Sequence, residues 1–313
     1  MTRAFVFPGQ GSQTVGMGRD LHAAFQTARD VFEEVDEALQ QKLSRIIFEG
    51  PESELQLTEN AQPALMTVSL AAMRVMAKEG GLDLKRHAAY IAGHSLGEYS
   101  ALAAADALTL ADAARLLKRR GRAMQRAVPV GEGAMAALLG LELAAARDVA
   151  AAAAEGQVLT AANDNGGAQV VVSGHREAVE RAVVQAPGKG AKRAIMLAVS
   201  APFHCSLMQP AAEEMAEALA GVKLGEPLVP LVANVSAAAV RDPAEIRRLL
   251  VEQVTGLVRW RECVIYMKSQ GVHQLVEVGS GRVLGGLAKR IDRELVGVSL
   301  GAPAEIEAFL KTL

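Results

Sequence analysis

Apolar residues near the start of the chain fall into two rhythms. Ala4-Phe5-Val6-Phe7 is a short continuous run that ends on Pro8-Gly9-Gln10-Gly11-Ser12-Gln13, the pattern of a buried strand followed by a glycine-rich turn. Helical spacing takes over at about 21–39 and again from 60 to about 78, where Asn60 suits the cap and Pro63 is tolerated in the first turn. Tyr90-Ile91-Ala92-Gly93 is a second short strand. It passes through His94-Ser95-Leu96-Gly97 into a helix expected to open at Ser95 and carrying the small residues Ala101, Ala103, Ala104 and Ala105. A third helix is expected at about 109–128. Ala113, Leu117, Arg120, Met124 and Ala127 share one stripe, whereas Arg115, Lys118, Arg119, Arg122 and Arg126 gather on a face expected to be solvated.

A boundary follows at 129–133, and the rhythm changes. Strand 134–139, a helix at about 142–155, strands 158–162 and 169–173, a helix at about 177–185 and strand 192–199 make a βαββαβ order. That order is a split βαβ unit of ferredoxin-like type, a small antiparallel sheet inserted into a larger parallel one. The expected organisation is therefore a large α/β domain from 1–128 and 199–313, with 129–198 as the inserted subdomain. The last third returns to α/β alternation. A helix runs to about 220, strands are expected at 228–232 and 275–278, helices at about 244–254 and 260–270, and Gly279-Ser280-Gly281 opens another helix.

Composition narrows the function classes. Half of the 313 residues are hydrophobic and 22% are charged, ample for a buried core. A net charge of −2 and 4% aromatic residues give no footing for nucleic acid or an anionic membrane. No stretch is apolar for long enough to cross a bilayer, and no secretory leader precedes Pro8. Cys205 and Cys263 read as free thiols of a reducing compartment, so a cytoplasmic location is expected.

Candidate chemistry centres on Gly93-His94-Ser95-Leu96-Gly97. Gly-x-Ser-x-Gly between a strand and a helix is the pattern of a nucleophile elbow, although a glycine-rich turn with an incidental serine has the same letters. Two other glycine clusters fail the dinucleotide fingerprint, because Thr14 and Leu284 stand where the third glycine belongs. Gly188-Lys189-Gly190 lacks the spacing of a P-loop. None of the six histidines is paired at metal-ligand spacing. His94, next to the serine, should point away from it. His204, after Pro202-Phe203 at an expected strand-to-helix junction, is the better candidate base, where a helix N-terminus would disfavour the charged imidazolium; helix capping is its plainer role. Arg120 is the one basic residue in an apolar stripe, and a buried guanidinium requires either an internal carboxylate or a ligand anion.

Taken together and in order, Pro8-Gly9-Gln10-Gly11-Ser12-Gln13, Gln62-Pro63-Ala64-Leu65, Gly93-His94-Ser95-Leu96-Gly97-Glu98-Tyr99-Ser100-Ala101-Leu102, Pro202-Phe203-His204 and Val276-Glu277-Val278-Gly279 resemble the malonyl-CoA:acyl carrier protein transacylase family from end to end. The resemblance implies an α/β-hydrolase-like large domain, Ser95 as nucleophile and His204 as base. It also implies Gln10 with the Leu96 backbone N–H as oxyanion hole, Arg120 as the clamp on a malonyl carboxylate, and the Gln253 backbone carbonyl as the group that orients the histidine. The chain departs from the family at Cys205, where serine is frequent, at Leu257, where proline is common, and at Gly285, where threonine is.

The implied activity moves a malonyl group from malonyl-CoA to the phosphopantetheine thiol of acyl carrier protein, through a malonyl-serine, in fatty acid biosynthesis. No cofactor is implied, since the coenzyme A thioester is a substrate, and the chain is expected to act as a monomer. The rival readings are a polyketide-pathway transacylase, a malonate decarboxylase subunit, a carrier-docking subunit without activity, and a serine thioesterase or hydrolase. The last lacks the His-Gly-Gly-Gly oxyanion motif and an obvious Asp for a triad.

Overall fold

The computed structural model describes residues 2–313. Its strands, in chain order, are β1 (Arg3–Phe7), β2 (Tyr90–Gly93), β3 (Gly133–Leu139), β4 (Leu159–Asp164), β5 (Gln169–His175), β6 (Arg193–Met196), β7 (Leu231–Ala233), β8 (Ala238–Val240), β9 (Gln274–Val278) and β10 (Val296–Leu300). They form two sheets. One has the order β10-β9-β1-β2-β7-β8 and is parallel except for β8, which runs antiparallel to β7. The other has the order β4-β5-β3-β6 and is antiparallel throughout. The fold is thus mixed α/β, with a largely parallel sheet and a separate antiparallel one.

The parallel sheet is covered on both faces, which is why β1 reads as a continuous apolar run from Ala4 to Phe7; β9 is as deeply buried but carries Glu277, whose carboxylate accepts from the Leu284 and Gly285 N–H groups and from Ser299 Oγ. Phe5 and Phe7 point into one core with Leu65, Leu102 and Leu117, and Ala4 and Val6 into another with Trp260, Val264 and Leu275. β1 lies at the centre, with β2 on one side and β9 on the other. The chain therefore leaves β1 toward both edges, and a crevice opens beyond the carboxyl ends of the strands, where such sheets bind ligands. The turns after β1, β2 and β7 all end there. Val258 bonds to the backbone of Ala162 and Asp164, joining the end of β4 to the rim of the large sheet.

Several expected boundaries shift. The helix expected at 21–39 is two, Arg19–Ala24 and Gln26–Leu39, because Phe25 is extended and packs its ring on the core. The next long helix runs Thr58–Gly80 and starts before Asn60, so Asn60 is not its cap. Asn60 is buried, and its Oδ1 accepts a 2.8 Å hydrogen bond from Lys118 Nζ. Lys118 was expected on the solvated face and is instead buried, paired with Glu59 at 2.9 Å. Its neighbours Arg115, Arg119, Arg122 and Arg126 are exposed, as their spacing requires. The strand expected from 228 begins only at Leu231, after Pro230, while β8 and β10 were not anticipated. The strand expected at 192–199 ends at Met196. Among the described residues, no helix is long and apolar enough to cross a membrane.

Candidate active site

Ser95 sits in the turn between β2 and the helix Gly97–Ala104, outside that helix rather than opening it. Its φ of 53° is left-handed, a conformation a serine rarely adopts. The flanking glycines are dictated by close approach. A Cβ on Gly97 would overlap the Phe7 carbonyl oxygen, and one on Gly93 would overlap the Gly97 backbone. The end of β1 and the elbow are thus pressed together, and the serine side chain is pushed out over the crevice.

The hydroxyl meets two partners. Ser95 Oγ lies 2.8 Å from His204 Nε2 and accepts a hydrogen bond of 3.1 Å from Arg120 Nη2. His204 Nδ1 lies 2.8 Å from the Gln253 backbone carbonyl, which can only accept. Nδ1 therefore carries the proton, and Nε2 presents a lone pair to the serine hydroxyl. His204 is itself left-handed, φ 59°, in the loop after β6 and not at a strand-to-helix junction; a short 3₁₀ turn, Ser206–Met208, follows before the helix Gln209–Ala220. Burial, and then the Arg120 charge, pull the His204 pKa down to about 3. These two causes keep the imidazole neutral, in place of the helix terminus that its position in the sequence suggested.

Arg120 is buried, projecting from the helix Leu110–Arg126 as the stripe required. Nη1 donates to Gln62 Oε1 at 2.8 Å and Nη2 also to Gln253 Oε1 at 3.0 Å, while Nε is buried with no hydrogen-bond partner among the described residues. Among the described residues, no carboxylate touches the guanidinium; Glu98 is the nearby acid whose charge acts on it. Burial lowers the Arg120 pKa, as expected of a cation short of an anion.

Gln10 and Leu96 border the same cavity, of about 330 Å³, together with Ser95, Arg120, His204, Gln62 and Met124. The far wall is Met135 from β3, Asn163 from β4, and Leu197, Ala198 and Val199, which have left the sheet after β6. The Gln10 side-chain amide is turned to Thr58 Oγ1 at 3.2 Å. The backbone N–H groups of Gln10 and Leu96 have no backbone acceptor among the described residues. His94 points away from the serine hydroxyl, its Nε2 2.9 Å from Asn165 Oδ1. Cys205 is buried, its Sγ on the Pro202 carbonyl, and burial raises its pKa. The six anticipated site residues therefore converge, Gln253 from beneath the cavity wall.

Four residues of the assembly escaped the sequence reading: Gln62, Glu98, Asn165 and Asn234. Two carried a visible signal. Glu98 is a carboxylate in a run of small and apolar residues, and Gln62 is a polar residue among Ala61, Pro63, Ala64 and Leu65. Both are buried, as is Asn234.

The sequence matches the acyl transferase domain family over residues 4–284. It is 47% identical over 308 residues to the malonyl CoA-acyl carrier protein transacylase of Escherichia coli strain K12, covering 98% of both chains. Its identity to the Bacillus subtilis strain 168 protein of that name is 45% over 311 residues, 99% of this chain and 96% of the other. Among solved structures, an acyl-carrier-protein S-malonyltransferase from Bartonella henselae superposes with a TM-score of 0.97 at 55% identity, covering 100% of this chain and 99% of that one. A malonyl-transacylase solved with its type II polyketide-synthase acyl carrier protein superposes with 0.96 at 42% identity, over the whole of both chains. With near-complete coverage at such identity, the chain belongs to the malonyl-CoA–acyl carrier protein transacylase family.

Proposed function

We propose that the protein transfers a malonyl group from malonyl-CoA to the phosphopantetheine thiol of an acyl carrier protein, as its relatives' names describe, in fatty acid biosynthesis. The observation that carries this reading is one hydroxyl, Ser95 Oγ, held between a neutral imidazole and a buried guanidinium. A serine–histidine pair alone would suit any acyl transfer; the buried cation beside it selects an acyl group ending in a carboxylate.

His204 Nε2 takes the Ser95 proton as Oγ attacks the malonyl thioester carbon. The resulting oxyanion is received by the Gln10 and Leu96 N–H groups, each such donor being worth about 3–4 kcal/mol in comparable sites. The C–S bond breaks and the coenzyme A sulfur leaves with the proton from His204. The carrier thiol then gives its proton to His204 and attacks the malonyl ester, and Ser95 recovers its proton. Gln253 holds the imidazole tautomer through both halves, taking the position of a triad acid. Arg120 supplies a planar donor fork for the malonate carboxylate. The reaction as written needs no cofactor.

Residues 129–198 form the small subdomain in this reading, the antiparallel order β4-β5-β3-β6 with its two helices supporting a ferredoxin-like arrangement. The parallel sheet with its elbow supports an α/β-hydrolase-like large domain. We take the protein to act as a cytoplasmic monomer. The test is sequential: malonyl-CoA should add one malonyl mass at Ser95, and holo carrier protein should then remove it and gain that mass. An adduct mapped to Cys205, or an ester released only to water, would sink the proposal.

A further inference from the structure

Ser95 is held in a conformation that an L-residue occupies only when its surroundings over-determine it. The grip comes from β7, the neighbour of β2 in the sheet. Asn234 follows directly on β7 and is fully buried. Its Oδ1 accepts from the Ser95 backbone N–H at 2.8 Å, and its Nδ2 donates to the Gly93 carbonyl at 2.8 Å. One amide therefore spans both ends of the elbow. The partners also fix which way it faces, since a flipped amide would set donor against donor and acceptor against acceptor.

The amide is itself anchored. The Asn234 backbone N–H donates to Glu98 Oε1, and Gln253 Nε2 donates to Glu98 Oε2 at 2.7 Å and to the Ser95 carbonyl at 3.0 Å. Gln253 in turn carries, on its own carbonyl, the hydrogen bond to His204 Nδ1. The path from Ser95 through Asn234, Glu98 and Gln253 to His204 closes on itself at the 2.8 Å contact between hydroxyl and imidazole. Every link is a hydrogen bond between groups on different elements: the elbow, the end of β7, the first turn of the Gly97–Ala104 helix, the end of the Pro243–Glu252 helix and the loop after β6 that carries His204.

We propose that Asn234 is a positioning residue for this reaction: its side-chain amide pins the Ser95 backbone in the left-handed conformation, and Glu98 locks that pin to the residue that carries the base. The proposal rests on Ser95 being the nucleophile, but not on malonate being the acyl group. Burial raises the Glu98 pKa to about 8, against the pull of the Asn234 N–H, Arg120 and Gln253. In either protonation form each oxygen keeps a lone pair for its donor. Glutamine at position 98 would instead turn an NH₂ group toward one of the two.

The test uses a fluorophosphonate, which labels an activated serine whatever its natural acyl donor, on the full-length chain. Total label at long times counts the competent molecules, and thermal melting reports the fold. For Asn234→Ala the limiting labelling rate per competent molecule should fall ~10–100-fold, the usual loss when an orienting partner of a reacting group is removed, while half-saturation moves less than ~3-fold. Glu98→Gln should lower the same rate in the same sense, by less, because one of its two links survives. A wild-type rate per competent molecule in folded Asn234→Ala overturns the proposal. So does a loss carried wholly by half-saturation or by the competent fraction, which is what a merely structural role would produce. Should Asn234→Ala fail to fold, Glu98→Gln decides alone, and a wild-type rate there overturns it. A wild type unlabelled at Ser95 removes the nucleophile assignment, and this proposal with it.

Discussion

Replacing Arg120 by alanine separates recognition of the acyl group from the chemistry of its transfer. The guanidinium is 1% exposed, so water screens it poorly. Its Nε has no partner among the described residues, and Nη2 already reaches the hydroxyl to be acylated. A malonate carboxylate on that fork forms a buried, charge-assisted pair next to the reacting carbonyl. Breaking such a pair by removing one partner costs about 3–5 kcal/mol, or roughly 10² to 4 × 10³-fold in kcat/KM. Acetyl-CoA presents the same thioester without the carboxylate, so this energy is not available to it. For acetyl, the variant loses a hydrogen bond to the Ser95 oxygen and gains a more basic His204, two effects that oppose each other. The assay is kcat/KM for both thioesters with wild type, Arg120→Ala and Arg119→Ala. Arg119 is exposed on the same helix, paired with Glu214 at 3.1 Å, a surface contact worth about 0–1 kcal/mol. Malonyl transfer should collapse in Arg120→Ala alone, with acetyl transfer close to wild type. Equal losses on both thioesters in Arg120→Ala would show that the arginine only braces Gln62 and Gln253, and the carboxylate argument would fall.

His204→Ala should slow acylation and transfer alike by roughly 10²–10⁴-fold, measured as two single-turnover rates; an unaffected second step would assign the thiol's base elsewhere. Because burial and Arg120 hold the His204 pKa near 3, its active neutral form persists on acidification, and acylation should stay flat from about pH 7.5 to about pH 5. Removing the neighbouring cation in Arg120→Ala raises that pKa, so the acid limb should move to higher pH; a wild-type limb near the ordinary histidine value would contradict the geometry. The same shift has a stability consequence: between the ordinary value and about 3 the unfolded chain binds a proton that the folded one refuses, so stability contributed by neutral His204 declines as pH falls through that window. Finally, Gly97→Ala drives a methyl into the Phe7 carbonyl and should destabilise the protein by about 1–3 kcal/mol, read from denaturant midpoints at constant slope.

The sequence alone determined whatever depends on local order. A continuous apolar run from Ala4 to Phe7 marked β1, because a strand covered on both faces leaves few polar positions. The elbow was legible because its two glycines answer a steric demand made within five residues and one neighbouring strand. Arg120 announced itself by standing in an apolar stripe, where its charge conflicts with the spacing around it. His204, by contrast, was located through its resemblance to a family motif; its surroundings in the chain left capping open.

Tertiary structure decided what depends on meetings across the fold. Lys118 shares the polar face of its helix with four arginines, yet the start of the Thr58–Gly80 helix covers it and supplies Glu59 and Asn60; nothing in its own segment encodes that cover. Asn60 likewise looked like a cap because local chemistry favours one, and a partner 58 residues away claimed its side chain. β10 is short and half-buried at an edge, so its pattern is weak until β9 lies beside it. The neutrality of His204 is no property of its neighbours in sequence: it arises because the fold buries the ring and places beside it a cation from the Leu110–Arg126 helix. Asn234 and Glu98 stand 136 residues apart, and they brace the elbow only because β7 pairs with β2 and brings their hydrogen-bonding groups out of water together.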